Sequence, residues 1–376
     1  RLDQRMKIRH AFTGWVYAWE SPTRVIALIG FVSTRDVDDR ELQQKIWRTT
    51  AEKLEISAPV DRDIEKIRQL YEREDLSAED YRIEVRRSLP RGWDAEDTEH
   101  YIVVFDTKDQ PLIRIIKREL EAIHAAYVQI FPPSQPIRAV STVRVCKDEA
   151  GYLQYGGDEG TGGYWNSAGE ELVFFDYENV RGKAGTGKAN SRIVLYHEAF
   201  HQYIHYSLGE FPPHSWFNEG FGDYFSGASI DGTKLTRIGV NPWRIWSIRR
   251  AIESGEDIPW EDIIRYEQSQ YYESSRADLC YAQGWSMVYF LREAKEVAKR
   301  PAWAKILPTY FDVLKADYAD RIAALEVTQG SVDAKARAEA GQLAREKART
   351  AAFEDVDFPS IEAAWREFTL ALKLPR

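Results

Sequence analysis

Cysteine is nearly absent: the 376 residues include only Cys146 and Cys280. A lone pair so far apart in sequence is as readily two buried thiols as one disulfide, so it does not define the redox compartment. Long apolar runs are missing too. No stretch approaches the ~20 residues of a membrane-spanning helix, and the longest candidate, residues 24–32, is short and strand-like. Nor is there a basic excess. Sixty acids against 51 bases leave a formal net charge of -9, which argues against a nucleic-acid-binding surface. The glycine-containing loop 181–190 lacks the P-loop spacing, because Ala189 follows Lys188 where a serine or threonine is required. The chain opens at Arg1 rather than at methionine; the compartment stays open, with export to a periplasm or the exterior as the expectation.

What is present is enough for a large core. Apolar residues make up 44% of the chain and charged ones 30%, which suits a globular protein of two or three structural units. Residues 1–98 read as a mostly helical accessory region: Leu42, Ile46, Trp47, Ala51 and Leu54 share one helical face, and Ile64, Ile67 and Leu70 repeat the pattern. Before them, Val25–Ile29 reads as a buried strand. Residues 99–190 read as an α/β sheet subdomain. It has a strand at Tyr101–Phe105, an amphipathic helix from about Pro111 to Phe131, and a strand within Ile137–Cys146. A hairpin follows, Gly163–Trp165 and Leu172–Phe175, turning at 166–169. The second hairpin strand, Glu171 to Tyr177, is the expected substrate-binding edge. Residues 191–376 read as helical almost throughout. The Ala-, Lys-, Arg- and Glu-rich segment Val332–Ala352 is expected as a charged, solvated surface helix or arm. Phe358–Leu374 is expected as a closing helix packed back on this part.

The chemistry-bearing pattern is His197-Glu198-Ala199-Phe200-His201. Two histidines four residues apart on a helix stack on one face and reach a single ion. A catalytic zinc site takes three protein ligands and keeps a fourth position for water. The third comes from Trp216-Phe217-Asn218-Glu219-Gly220-Phe221-Gly222-Asp223, since Glu219 follows His201 by 18 positions, room for a helix end, the Pro212-Pro213 bend and a returning helix. Asp223, one helical turn after Glu219, is placed to accept the free N–H of a ligating histidine and fix its tautomer. Glu198 points to another side of the helix and suits a general base for the water that one zinc ion activates. A plain core helix is the bland alternative, with Ile193, His197, Phe200, Ile204 and Leu208 as an apolar stripe. With only seven histidines in the chain, chance placement of two in this motif is a poor explanation. By the same logic His205 is expected in the core, while His214 sits at a bend close to the metal.

These residues resemble the gluzincin metallopeptidases, and in particular a little-characterised bacterial peptidase-like family of the DUF1570 kind, whose active-site stretch reads like His-Glu-x-x-His-Gln followed by Trp-Phe-Asn-Glu-Gly. The resemblance spans roughly residues 100 to 295. It implies an α+β, zincin-like fold: a small mixed sheet with a substrate-binding edge, then the active-site helix, then a mostly helical C-terminal subdomain. It also implies a peptide or protein substrate. Aminopeptidase-type gluzincins carry a Tyr-x-Lys-Gly sequence about sixty residues past the glutamate ligand, whose tyrosine stabilises the oxyanion. Tyr281-Ala282-Gln283-Gly284, 62 residues beyond Glu219, is similar and implies that role for Tyr281, with Gln283 in place of the lysine. The Gly-x-Met-Glu-Asn stretch that holds a substrate amine in that branch is absent, and Tyr177-Glu178-Asn179 lies too near His197 to replace it. An endopeptidase is therefore favoured over an aminopeptidase. Competing readings are a non-catalytic zinc-containing binding or scaffold protein, which would be expected to have lost Glu198, and a metal-dependent hydrolase of a non-peptide amide or ester.

Overall fold

The computed structural model describes residues 12–20, 25–33, 40–53, 64–74, 78–167, 169–177 and 187–373. Of the positions singled out above, Arg24, Leu54, Ala168, Glu178, Asn179, residues 181–186 and Leu374 lie outside the described residues. The chain divides into two compact units, residues 1–61 and 62–376. In the first, β1 (Phe12–Glu20) and β2 (Val25–Ser33) form an antiparallel hairpin running from Phe12↔Ser33 to Glu20↔Val25. Helix α1 (Arg40–Lys53) follows, with Ala51 buried.

The second unit starts with α2 (Ile64–Glu74), α3 (Glu79–Ser88) and β3 (Asp94–Asp97). Arg82 of α3 is fully buried, and its guanidinium is saturated by Asp97 and by the carbonyls of Thr98, Glu99 and Tyr101. A buried guanidinium requires such complete pairing, and here the pairing ties α3 to the turn between β3 and β4 (Tyr101–Phe105). The expected division at residues 98 and 99 falls inside this hairpin.

Helix α4 (Gln110–Ile130) leads from β4 to β5 (Ser141–Cys146). The Asp109 carboxylate caps its first turn and Pro111 sits where a missing N–H costs nothing. Helix α5 (Glu149–Tyr155) then precedes the hairpin β6 (Gly163–Asn166) and β7 (Glu171–Phe175). Together these strands make a five-stranded mixed sheet in the order β3-β4-β5-β7-β6. Its centre is parallel, which accounts for the unbroken apolar runs in β4 and β7, where every residue is buried.

The strand order corrects one expectation. Strand β7 is not an edge: it pairs with β5 on one side and β6 on the other, so its main chain is saturated. The edge is β6. The hairpin folds this way because the more apolar strand, Glu171-Leu-Val-Phe-Phe, takes the doubly covered position and Gly163-Tyr-Trp-Asn is left outside.

Beyond the sheet the unit is mostly helical. Helix α6 (Gly187–Leu208) carries the paired histidines and is clamped to α4. Glu119, buried on α4, takes the Arg192 guanidinium and the Tyr196 hydroxyl, while Tyr127 donates to the Tyr196 carbonyl at 2.7 Å. Helix α7 (Ser215–Phe225) returns along α6. A short antiparallel pair, β8 (Ala228–Asp231) and β9 (Lys234–Ile238), interrupts the expected run of helices. The chain turns at Asp231-Gly232, with Gly232 at a φ of 59° that favours glycine. Then come α8 (Ile245–Ser254), the short α9 (Trp260–Ile263) and α10 (Gln268–Tyr271), and the central α11 (Ala277–Glu293). The chain ends in α12 (Pro301–Ala304), α13 (Ile306–Gln329), α14 (Ala334–Phe353) and α15 (Phe358–Ala371), the last burying Ile361 and Trp365 against the helical part as expected.

Helix α14 is not a free arm. Ala340, Ala344, Ala348 and Ala352, each four residues from the next, are buried on a face packed along α13. Its other contacts reach the α6–α7 bend: Arg345 donates to the Pro212 carbonyl, and Glu346 lies 3.5 Å from His214 Nε2. The polar residues that suggested a solvated helix form the opposite face.

Candidate metal centre

Helices α6 and α7 place three donors around one point. His197 Nε2 lies 3.1 Å and His201 Nε2 3.3 Å from Glu219 Oε2, and the two imidazoles meet edge to face with centroids 4.6 Å apart. One ligand atom from each of the three residues lies within 4.8 Å of the others, a buried group that could hold a metal ion. The four-residue spacing aligns the histidines, and the bend at 211–214 brings Glu219 back opposite them.

Each donor has a partner behind it. Asp223 Oδ1 stands 3.3 Å from His197 Nδ1. Asn218 Oδ1 faces His201 Nδ1 at 3.1 Å, and the Tyr272 hydroxyl donates to Glu219 Oε1. Asp223 is itself held by Arg244 Nε at 2.7 Å and by Asn241. Such outer partners orient a metal's ligands and fix the tautomer of each ring. Tyr272, Asn241 and Arg244 had no signal in the sequence, since only tertiary packing brings them here. Asn218 did stand inside the Asn-Glu motif, next to Glu219.

The charge balance of the pocket suits a cation. Burial by itself lowers the pKa of His197, but the Asp223 and Glu219 carboxylates outweigh it and raise the imidazole to about 10. His201 is raised in the same contest, chiefly by Glu219. Burial works to raise Glu219, yet the two imidazoles hold it well below the usual carboxylate range. Glu198 goes the other way: burial raises it, against the pull of both imidazoles. It is not one of the three clustered donors, and it faces the cleft beside them.

Two cavities meet at this point. One, of about 420 Å³, runs past Trp165, His205 and Tyr272; the other, of about 360 Å³, runs past Gly160, Trp243 and Arg244. His197, Glu198, Tyr281, Thr161 and Gly163 line both. Edge strand β6 therefore flanks the centre, with Trp165 on the same cleft wall as Glu198. The Tyr281 ring lies 6.4 Å from that of His197, under the Arg244 guanidinium. Gln283 points elsewhere: fully buried, it exchanges hydrogen bonds with both main-chain groups of Ile258. His214 turns to Tyr310 and Glu346, away from the centre, and His205 is half-buried on the cleft wall against Trp165 instead of in the core.

Glycine is required where α7 crosses its neighbours. A Cβ on Gly220 would stand 2.6 Å from the Gly284 carbonyl of α11, and one on Gly222 would stand 2.9 Å from the His197 ring. Gly222→Ala is expected to displace that ring from Asp223 and weaken metal affinity by about 10–100-fold, measured by competition with a chromophoric chelator; unchanged affinity would mean the ring moves without cost.

Residues 193–304, from the first turns of α6 to the end of α12, match a family described as a protein of unknown function, DUF1570. No curated protein matches the chain.

Proposed function

We propose that this chain is a zinc-dependent peptidase that cleaves within peptide chains. The observation that carries the proposal is the division of labour on one helix: His197 and His201 join Glu219 in a donor cluster, while Glu198, between them in sequence, stays outside it and opens on the cleft. The donor set fits zinc, with two imidazole nitrogens, one carboxylate and, among the described residues, no fourth side chain closing the group. When bound, zinc supplies a Lewis acid that polarises a carbonyl and makes water acidic near neutral pH.

The remaining work falls to the protein's own groups. Glu198 accepts a proton from the attacking water and returns it to the leaving amine; burial makes its carboxylate a stronger base. Tyr281, whose hydroxyl is kept protonated chiefly by burial, donates to the oxygen that gains charge. An extended substrate pairs its main chain with β6, the edge strand of the sheet that borders the cleft. Cavities on both sides of Glu198 leave room for residues before and after the cut. This favours an endopeptidase, as does the use of Gln283 in packing rather than at the centre.

The deciding experiment is hydrolysis of a mixed fluorogenic peptide library, blocked at both ends, by zinc-loaded protein, with chelation and metal re-addition as control. Cleavage that follows the metal supports the proposal. Cleavage of free-amine peptides alone would make the enzyme an exopeptidase, and inactivity on all peptides by the metal-loaded chain would favour a non-peptide amide or ester, or a binding role. Tyr281→Phe is expected to lower kcat by about 10²-fold with KM and zinc content nearly unchanged; an unaltered kcat would remove Tyr281 from the chemistry.

A further inference from the structure

A second cluster of ligand-type side chains lies on α4 and just before β4, beside Gln202 of the motif helix. His100, just before β4, and Glu121 and His124, one turn apart on α4, each bring a ligand atom within 4.8 Å of the other two. Glu121 holds His100 twice, its Oε1 accepting from the main-chain N–H at 2.9 Å and its Oε2 lying 2.7 Å from Nδ1. The His100 and His124 rings stack face to face, centroids 3.9 Å apart and 22° from parallel.

Taken alone, these contacts describe a carboxylate, an imidazole and a stacked neighbour, which a protein can keep without an ion. Gln202 separates the two cases. It follows His201 on α6, is 1% exposed, and among the described residues neither its Oε1 nor its Nε2 meets a partner. A buried amide left without partners is costly, because its desolvation is not repaid, so something is expected to satisfy it. Gln202 lines a cavity of about 10 Å³ together with His100, His124, Ser141 and Tyr206. That is room for one water-sized body, and its walls offer two imidazoles and an amide oxygen, with the carboxylate of Glu121 alongside.

We propose that His100, Glu121 and His124, with Gln202 supplying a carbonyl oxygen, form a second site for a transition-metal dication. Two imidazoles and a carboxylate suit zinc, and also cobalt or nickel. His100 and Glu121 are about a third exposed, which gives an ion a way in. The site joins β4, α4 and α6 at the residue adjoining His201, so its ion braces the motif helix from behind and takes no part in hydrolysis. It does not depend on the peptidase proposal.

The test is a metal count by plasma mass spectrometry on the full chain, saturated with zinc and passed over a mild chelating resin. The parent is expected to keep two zinc ions, His124→Ala and Glu121→Gln one each, and His201→Ala one. The double variant His124→Ala/His201→Ala should keep none. Because a variant can fail to fold, cobalt titration of the unmodified chain gives a second readout: two successive absorption changes are expected, the first missing after prior loading with one equivalent of zinc. One zinc in the parent, undiminished by His124→Ala and lost with His201→Ala, would overturn the proposal and leave an ordered water on Gln202.

Discussion

Glu198→Gln is expected to lower turnover by about 10²–10⁴-fold, the range removed with a general base, while the protein keeps the metal bound by His197, His201 and Glu219. The reason is geometric. Glu198 is on the helix that bears both histidines but is not in the donor cluster, so losing its charge leaves every ligand atom in place. Glutamine keeps the size and hydrogen-bonding capacity of the side chain and removes only its ability to accept the proton. Peptide cleavage and zinc content should be measured on the same preparation. Loss of both together would assign Glu198 to the metal itself, and loss of neither would end the peptidase proposal.

Stripping the metal is expected to lower the melting temperature by about 5–10 °C, as for a ligand held at roughly a thousand times its dissociation constant in a domain of this size. The effect has a pH signature. In the stripped protein His197 is protonated up to about 10, against 6.5 when unconstrained. A raised pKa contributes stability that is complete below the unfolded value and is lost as pH climbs through the folded one. Between about 6.5 and 10 the stripped chain therefore loses the imidazolium that balances Glu219 and Asp223. The loaded chain, whose ligands carry no such proton, does not. The gap between the two melting temperatures should widen over that interval, by calorimetry at fixed ionic strength. A gap that narrows with pH would mean that protons do not occupy the ligand positions.

Much of the fold was legible in the sequence because its signals are local. Four-residue spacing sets His197 beside His201 on any helix. The apolar runs of β4 and β7 read as strands, and Pro111 marks the start of α4. Where reading failed, the deciding contact was distant. The hairpin β6–β7 was recognised, yet which strand lay outside depended on β5 claiming β7. The β8–β9 pair is too short and too exposed for its alternation to stand out. In α14 the composition of the whole helix hid an alanine face that has meaning only against α13.

The same division runs through the candidate centre. The sequence by itself determined that His197 and His201 share a helical face and that Glu198 stands apart from them, which chain geometry over a few residues dictates; it offered Glu219 beyond the bend as the carboxylate, and the packing of α7 on α6 brings it back. Tertiary structure alone decided that Tyr272, Asn241 and Arg244 stand behind the donors, that β6 and not β7 borders the cleft, and that Gln202 faces a second cluster on α4. Those groups come from helices and strands tens of residues away, and their meeting is set by how whole elements bury their apolar faces, which no window of sequence contains.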